Sequence, residues 1–171
     1  MNALKTEPPL EVVLHPGEYF FGDRDSRIRT VLGTCVSVTC WHPRLHIGGM
    51  CHYMLPARTP RKAWELDGRY ADEAIEWLLR EMKHRSTHPR EYQVKMFGGG
   101  NMFPGSYREN TPHVGAKNVD AGRRLLELHG FTASVEELGG AGHRSIIFEI
   151  WNGHVWVKRV PVSHVPKGEM P

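Results

Sequence analysis

Residues Val31–Pro56 read VLGTCVSVTCWHPRLHIGGMCHYMLP, a run that holds all three cysteines of the chain and three of its eleven histidines. CVSVTCW and HIGGMCHYML are rich in β-branched and apolar residues, and between them Pro43 and Arg44 are natural turn residues. The stretch is therefore predicted to be an antiparallel hairpin. With the turn at Pro43–Arg44, Cys35 falls directly opposite His52. Opposed side chains share a face with Cβ atoms about 5 Å apart, close enough for a thiol to meet an imidazole.

Strand alternation separates the other two cysteines from that pair. Cys40 lies five residues from Cys35 and so faces the other way, with Val36 and Val38; Cys51 faces opposite to its neighbour His52. Four ligands converging on one tetrahedral point do not follow from this pattern, and there is no Cys-x-x-Cys pair, so no metal is expected. Cys40 and Cys51 read as buried apolar residues. Cys35 follows Leu-Gly-Thr, where Gly33 permits a tight backbone approach. The residues alone leave it open between a small hydrophobe and a thiol nucleophile with its own backbone N–H beside it.

Working outward, EVVLHPGEYFF gives two short strands around a Pro-Gly turn, and RIRTVLG gives another that stops at Gly33. The strand HIGGMCHYMLP is expected to end at Pro56, and ARTPRKAWELDG reads as an exposed loop. RYADEAIEWLLREMKHR carries Tyr70, Ala74, Leu78 and Met82 at i, i+4 spacing with Ala71, Ile75 and Leu79 alongside, the mark of a core-facing helix. Asp67 is its expected N-cap. YQVKMF is a strand, followed by the flexible GGGNMFPGSYRENTPH. GAKNVDAGRRLLELHG is a second helix with Gly130 at C′. FTASVEEL, SIIFEIW and HVWVKRV are strands, the last two joined by an Asn152-Gly153 turn of type I′. His113 and His143 read as surface histidines. The order of elements predicts a mixed α/β or α+β fold in one domain spanning 1–171 with short flexible termini.

The 171 residues are 40% hydrophobic and 24% charged, an ordinary globular balance. Lys and Arg number 22 against 19 acidic residues, and they are scattered. No dense basic patch supports a nucleic-acid role, while a weakly basic surface suits an acidic protein partner. The N-terminal segment lacks a long apolar core and a small-residue cleavage site, and three cysteines make no disulfide framework. A cytoplasmic protein with reduced thiols is expected.

TVLGTCVSV, GGMCHYMLP, RYADEAIEWLL, KMFGGGNMF, VGAKNVDAGRRLL and ELGGAGHRSIIFEIWNGHVWVK, in this order from about Pro16 to Lys158, resemble the CheD family, the chemoreceptor glutamine deamidases of bacterial and archaeal chemotaxis. The family commonly has Ser before its cysteine; here Thr34 keeps the hydroxyl. The resemblance implies a cysteine-hydrolase fold like that of the deamidating cytotoxic necrotizing factor toxins, with mixed β-sheets packed face to face and helices outside. It makes Cys35 the nucleophile, His52 its base and Thr30 the residue that orients the imidazole, with no cofactor.

On that footing Cys35 and His52 would form a thiolate–imidazolium pair that attacks a glutamine carboxamide. Backbone N–H groups at Thr34 and Cys35 would hold the oxyanion. Gly98, Gly99 and Gly100 with Asn101 read either as a loop that borders the cleft and holds substrate or as a flexible structural turn. The partners implied are the cytoplasmic helices of chemoreceptors, with membrane contact only through them. A regulatory module that binds and stimulates the CheC phosphatase is the alternative, and a thiol amidase for a small molecule is a third reading.

Overall fold

A computed structural model describes residues 7–62, 64–106 and 110–162. The outermost parts of the termini expected to be flexible, 1–6 and 163–171, lie outside these residues, as do 107–109 of the glycine-rich segment. In chain order the strands are β1 (Leu10–Val13), β2 (Tyr19–Gly22), β3 (Ser26–Leu32), β4 (Val36–His42) and β5 (Ile47–Cys51). Helix α1 (Ala71–His84), β6 (Gln93–Gly98), helix α2 (Val114–Leu128), β7 (Ala133–Leu138), β8 (His143–Glu149) and β9 (His154–Val160) complete them.

The strands form two mixed sheets, one ordered β1-β3-β8-β9 and one ordered β2-β5-β4-β6-β7. β1 with β3 and β6 with β7 run parallel; the other pairs are antiparallel. Two apolar clusters set the layering. Ile28, Leu32, Met50, Phe97, Ile146 and Phe148 fill the space between the sheets. Val36, Val38, Cys40, Cys51 and Met96 pack with Ala74, Ile75, Leu78, Met82 and Leu126 of the helices. Each fully buried large aliphatic or aromatic side chain contributes about 1.5–3 kcal/mol relative to exposure. The α+β class and the face-to-face sheets agree with the sequence reading, with both helices on the same sheet. The far face of the four-stranded sheet is uncovered at Arg29 and Val31, which alternate with buried Ile28, Thr30 and Leu32.

Several local expectations change. The Pro-Gly segment between β1 and β2 carries the chain from one sheet to the other. β5 ends at Cys51, five residues before Pro56, although Tyr53 still bridges Val36 in the register of the β4–β5 pairing. The N-cap of α1 is Tyr70, without a side-chain cap; the Asp67 carboxylate is taken by Arg69. The loop before α1 exposes Trp64, yet Arg58 reaches in to grip fully buried Glu73 in a bidentate pair at 2.7 and 2.9 Å. His113 caps α2, its Nδ1 accepting the Ala116 N–H at 3.3 Å, and His143 opens β8. Gly130 does close α2: it has φ 77°, and Phe131 N–H donates to the Leu126 carbonyl at 2.9 Å, a Schellman arrangement. Asn152-Gly153 is not a two-residue turn. Glu149 pairs with His154 across four residues, because Ile150 dives into the core fully buried and Gly153 seats against the Trp41 ring.

Candidate active site

The chain crosses between the sheets at Gly33–Thr34–Cys35, the link from β3 to β4. Cys35 is half-buried and packs on the inter-sheet core. In the β4–β5 hairpin His42 pairs with Ile47 and Thr39 with Met50, so the loop is four residues, Pro43–His46. His46 closes it in the left-handed conformation, φ 53°, with its N–H on the His42 carbonyl at 2.9 Å. The register therefore differs by two from the expected one. Val36 bridges Tyr53, and His52 sits diagonal to Cys35 instead of opposite it. A shift of two preserves the face, so both side chains still point toward the four-stranded sheet. Cys40 and Cys51 point into the helix-facing cluster, the separation that alternation requires.

His52 meets Thr30 across the gap between the sheets. Thr30 Oγ1 lies 2.8 Å from His52 Nδ1 and donates its only proton to the Leu14 carbonyl at 2.7 Å. The hydroxyl can then only accept from the imidazole, so Nδ1 carries the ring proton and Nε2 is the bare nitrogen. Nε2 is buried and has no hydrogen-bond partner among the described residues. An orphaned buried acceptor is costly unless something is to occupy it. Thr30 and His52 also line a groove of about 520 Å³ with Leu14, Val31, Arg29 and Ile146, which reaches the pair where β1 leaves the edge of β3.

Burial draws the His52 imidazole down to about 4, His15 adding to the effect and Glu18 opposing it. Burial also pushes the Cys35 thiol up. Both shifts favour the uncharged forms. Burial thus works against a standing thiolate–imidazolium pair between Cys35 and His52.

The loop around Cys35 is held from behind by its carbonyls. Gly100 N–H donates to the Gly33 carbonyl and Gly99 N–H to the Cys35 carbonyl, each at 2.8 Å. Between them, the Thr34 carbonyl accepts from Asn118 Nδ2 at 3.0 Å. The backbone N–H groups of Thr34 and Cys35 make no hydrogen bond within the chain among the described residues. The glycine loop braces this segment, with the N–H groups of Gly99 and Gly100 placed on its carbonyls. Asn101 N–H is bound to the Gly140 carbonyl at 2.7 Å and its Oδ1 to Phe103 N–H at 2.9 Å. Glycine is required at Gly98, with φ 113°, where a Cβ would stand 2.2 Å from the Cys35 carbonyl oxygen. Asn118, wholly buried on α2, escaped the sequence reading. An Asn inside an amphipathic helix, at the otherwise apolar interface of GAKNVDAG, was the available signal.

The model of the family described as CheD chemotactic sensory transduction matches residues 54–159, a span that begins just beyond His52. Longer similarity runs to a "Probable chemoreceptor glutamine deamidase CheD" of Pseudomonas syringae pv. tomato, 49% identical over 92% of this chain and 94% of that protein. A protein of the same name from Pseudomonas fluorescens is 50% identical over 90% of this chain and 86% of its own length. "Probable chemoreceptor glutamine deamidase CheD 3" of Dechloromonas aromatica is 47% identical over 86% of each.

Proposed function

The chain belongs to the CheD family, and from that premise we propose that it is a protein-glutamine deamidase acting on chemoreceptors, with Cys35 as nucleophile, His52 as base and Thr30 as the residue that fixes the imidazole. The observation that carries the reading is the His52 ring, held through Nδ1 by Thr30 with Nε2 bare and buried.

His52 Nε2 takes the thiol proton as the Cys35 sulfur attacks the side-chain carbonyl carbon of a glutamine. The C=O electron pair moves to oxygen, and the N–H groups of Thr34 and Cys35 receive it; each such donor supplies about 3 kcal/mol of barrier lowering. The proton passes from His52 to the amide nitrogen, the C–N bond breaks and ammonia leaves a thioester. Water, deprotonated by His52, attacks that carbon and expels the sulfur, which regains its proton. The protein side chain is now glutamate, one negative charge richer. The work takes place in the cytoplasm on receptor helices; among the described residues no helix of this chain is long and apolar enough to cross a membrane.

The test is ammonia release and glutamine-to-glutamate conversion on a receptor cytoplasmic fragment, comparing wild type with Cys35→Ala. Conversion by the wild type alone is expected. No conversion by either folded protein would sink the enzyme reading and leave the binding of CheC as the activity to assay.

A further inference from the structure

Asn118 is assigned no role above, yet it is the buried polar group that ties α2 to both halves of the site. It is fully buried, and its side-chain nitrogen donates both hydrogens to backbone carbonyls, Thr34 at 3.0 Å and Met54 at 2.7 Å. One acceptor precedes the nucleophile and the other follows the base by two residues. Tyr53, between them, donates its hydroxyl to the main-chain carbonyl of Asn118 at 2.7 Å. Gly122, one turn on, leaves the room this needs, since a Cβ there would meet Tyr53 Oη at 2.3 Å. Asn118 Oδ1 has no partner among the described residues, a cost that a plain packing residue would avoid. Its amide is thus retained for its two donors.

Their effect follows from peptide geometry. The Thr34–Cys35 bond is trans, and in a trans peptide the C=O and N–H point in opposite directions. A Thr34 carbonyl drawn toward α2 therefore turns the Cys35 N–H away from α2, toward the open side of the loop. That N–H has no partner among the described residues, and a donor to the carbonyl polarises the same peptide and strengthens its N–H as a donor. We propose that Asn118 is the positioning residue of the oxyanion hole, aiming the Cys35 N–H through the Thr34 carbonyl while fixing the spacing of the Cys35 and His52 segments through Met54. The inference rests on the deamidase reading above.

Asn118→Ala and the similarly shaped Asn118→Asp, which places oxygens where two donors stood, are to be compared with wild type in two assays. Deamidation of the receptor fragment needs the oxyanion hole. Alkylation of Cys35 by iodoacetamide, read by mass spectrometry of its peptide, needs the thiol and its base but no oxyanion donor. The expected result is a kcat lower by about 10–100-fold, KM within twofold and the same acid limb in the pH profile, with alkylation within about threefold of wild type; removing an oxyanion donor outright costs about 100–1,000-fold. Unchanged kcat, or turnover and alkylation falling in parallel, overturns the proposal. Failure of both variants to fold also overturns it, in favour of a structural role. A wild type that alkylates at Cys35 but releases no ammonia would instead overturn the deamidase reading itself.

Discussion

The two faces of the β4–β5 hairpin place the same side chain in opposite chemical situations. On the helix-facing side, Cys40 and Cys51 are sealed, and burial pushes both thiols up to about 12. The Cys40 S–H, a weak donor, points to the Gly49 carbonyl at 3.6 Å. On the side facing the other sheet, Cys35 is half-buried beside backbone N–H groups that have no partner among the described residues, with His52 diagonal to it. Both environments disfavour a bare thiolate. On the proposed mechanism, reactivity would be set by access and by a base with a vacant nitrogen, and much less by a standing depression of the thiol's pKa.

Removing the sulfur on each side is the most direct way to break that contrast. Cys35→Ala should lower deamidation by about a thousandfold or more, the scale seen when a nucleophile is deleted, and shift thermal unfolding little, since the side chain is only half-buried. Next in size is Thr30→Val, which keeps the shape and removes the acceptor for His52 Nδ1–H. With the tautomer no longer fixed, kcat should fall by about a hundredfold, measured on the receptor fragment with the fold checked by circular dichroism.

The pH profile sharpens the contrast from another direction. The base must be neutral to accept a proton, and burial holds His52 at about 4. Below that value protonation removes the active form. kcat/KM should thus stay flat as pH falls through the ordinary histidine range near 6.5 and decline with a midpoint near 4. A midpoint at 6–7 would show that the imidazole is hydrated in the working enzyme. The smallest expected effect belongs to Cys40→Ala and Cys51→Ala. Turnover should remain within about twofold, while urea unfolding should register a loss of about 1 kcal/mol from the vacated core volume. A large loss of turnover in either well-folded variant would mean that the helix-facing layer takes part in the chemistry.

Strand parity carried much of this arrangement in the sequence. It put Cys35 and His52 on one face and the other cysteines on the opposite face, and it survived a register shift because the shift was even. The 3.6-residue spacing of Ala71, Ala74, Ile75, Leu78 and Met82 likewise marked the buried face of α1. What sequence did not disclose were contacts made by backbone atoms of distant segments. His46 lengthens the hairpin loop by adopting φ 53°, a conformation uncommon for a non-glycine residue. Nor did the sequence disclose that the N–H groups of the glycines at 99 and 100 serve the carbonyls of residues 35 and 33. Asn118 lies 64 and 84 positions from its two acceptors, and no local pattern forecasts such a bond.

Thr30 belongs to one sheet and His52 extends from the other, so the hydrogen bond that fixes the base is also a gauge of the distance between the two layers. The filling of that gap by Ile28, Leu32, Met50, Phe97, Ile146 and Phe148 works like a shim of fixed thickness. Trimming one of these side chains, far from any reacting atom, would reset the 2.8 Å contact and detune the imidazole. In this protein the packing of the core and the setting of the His52 imidazole are one and the same mechanical adjustment.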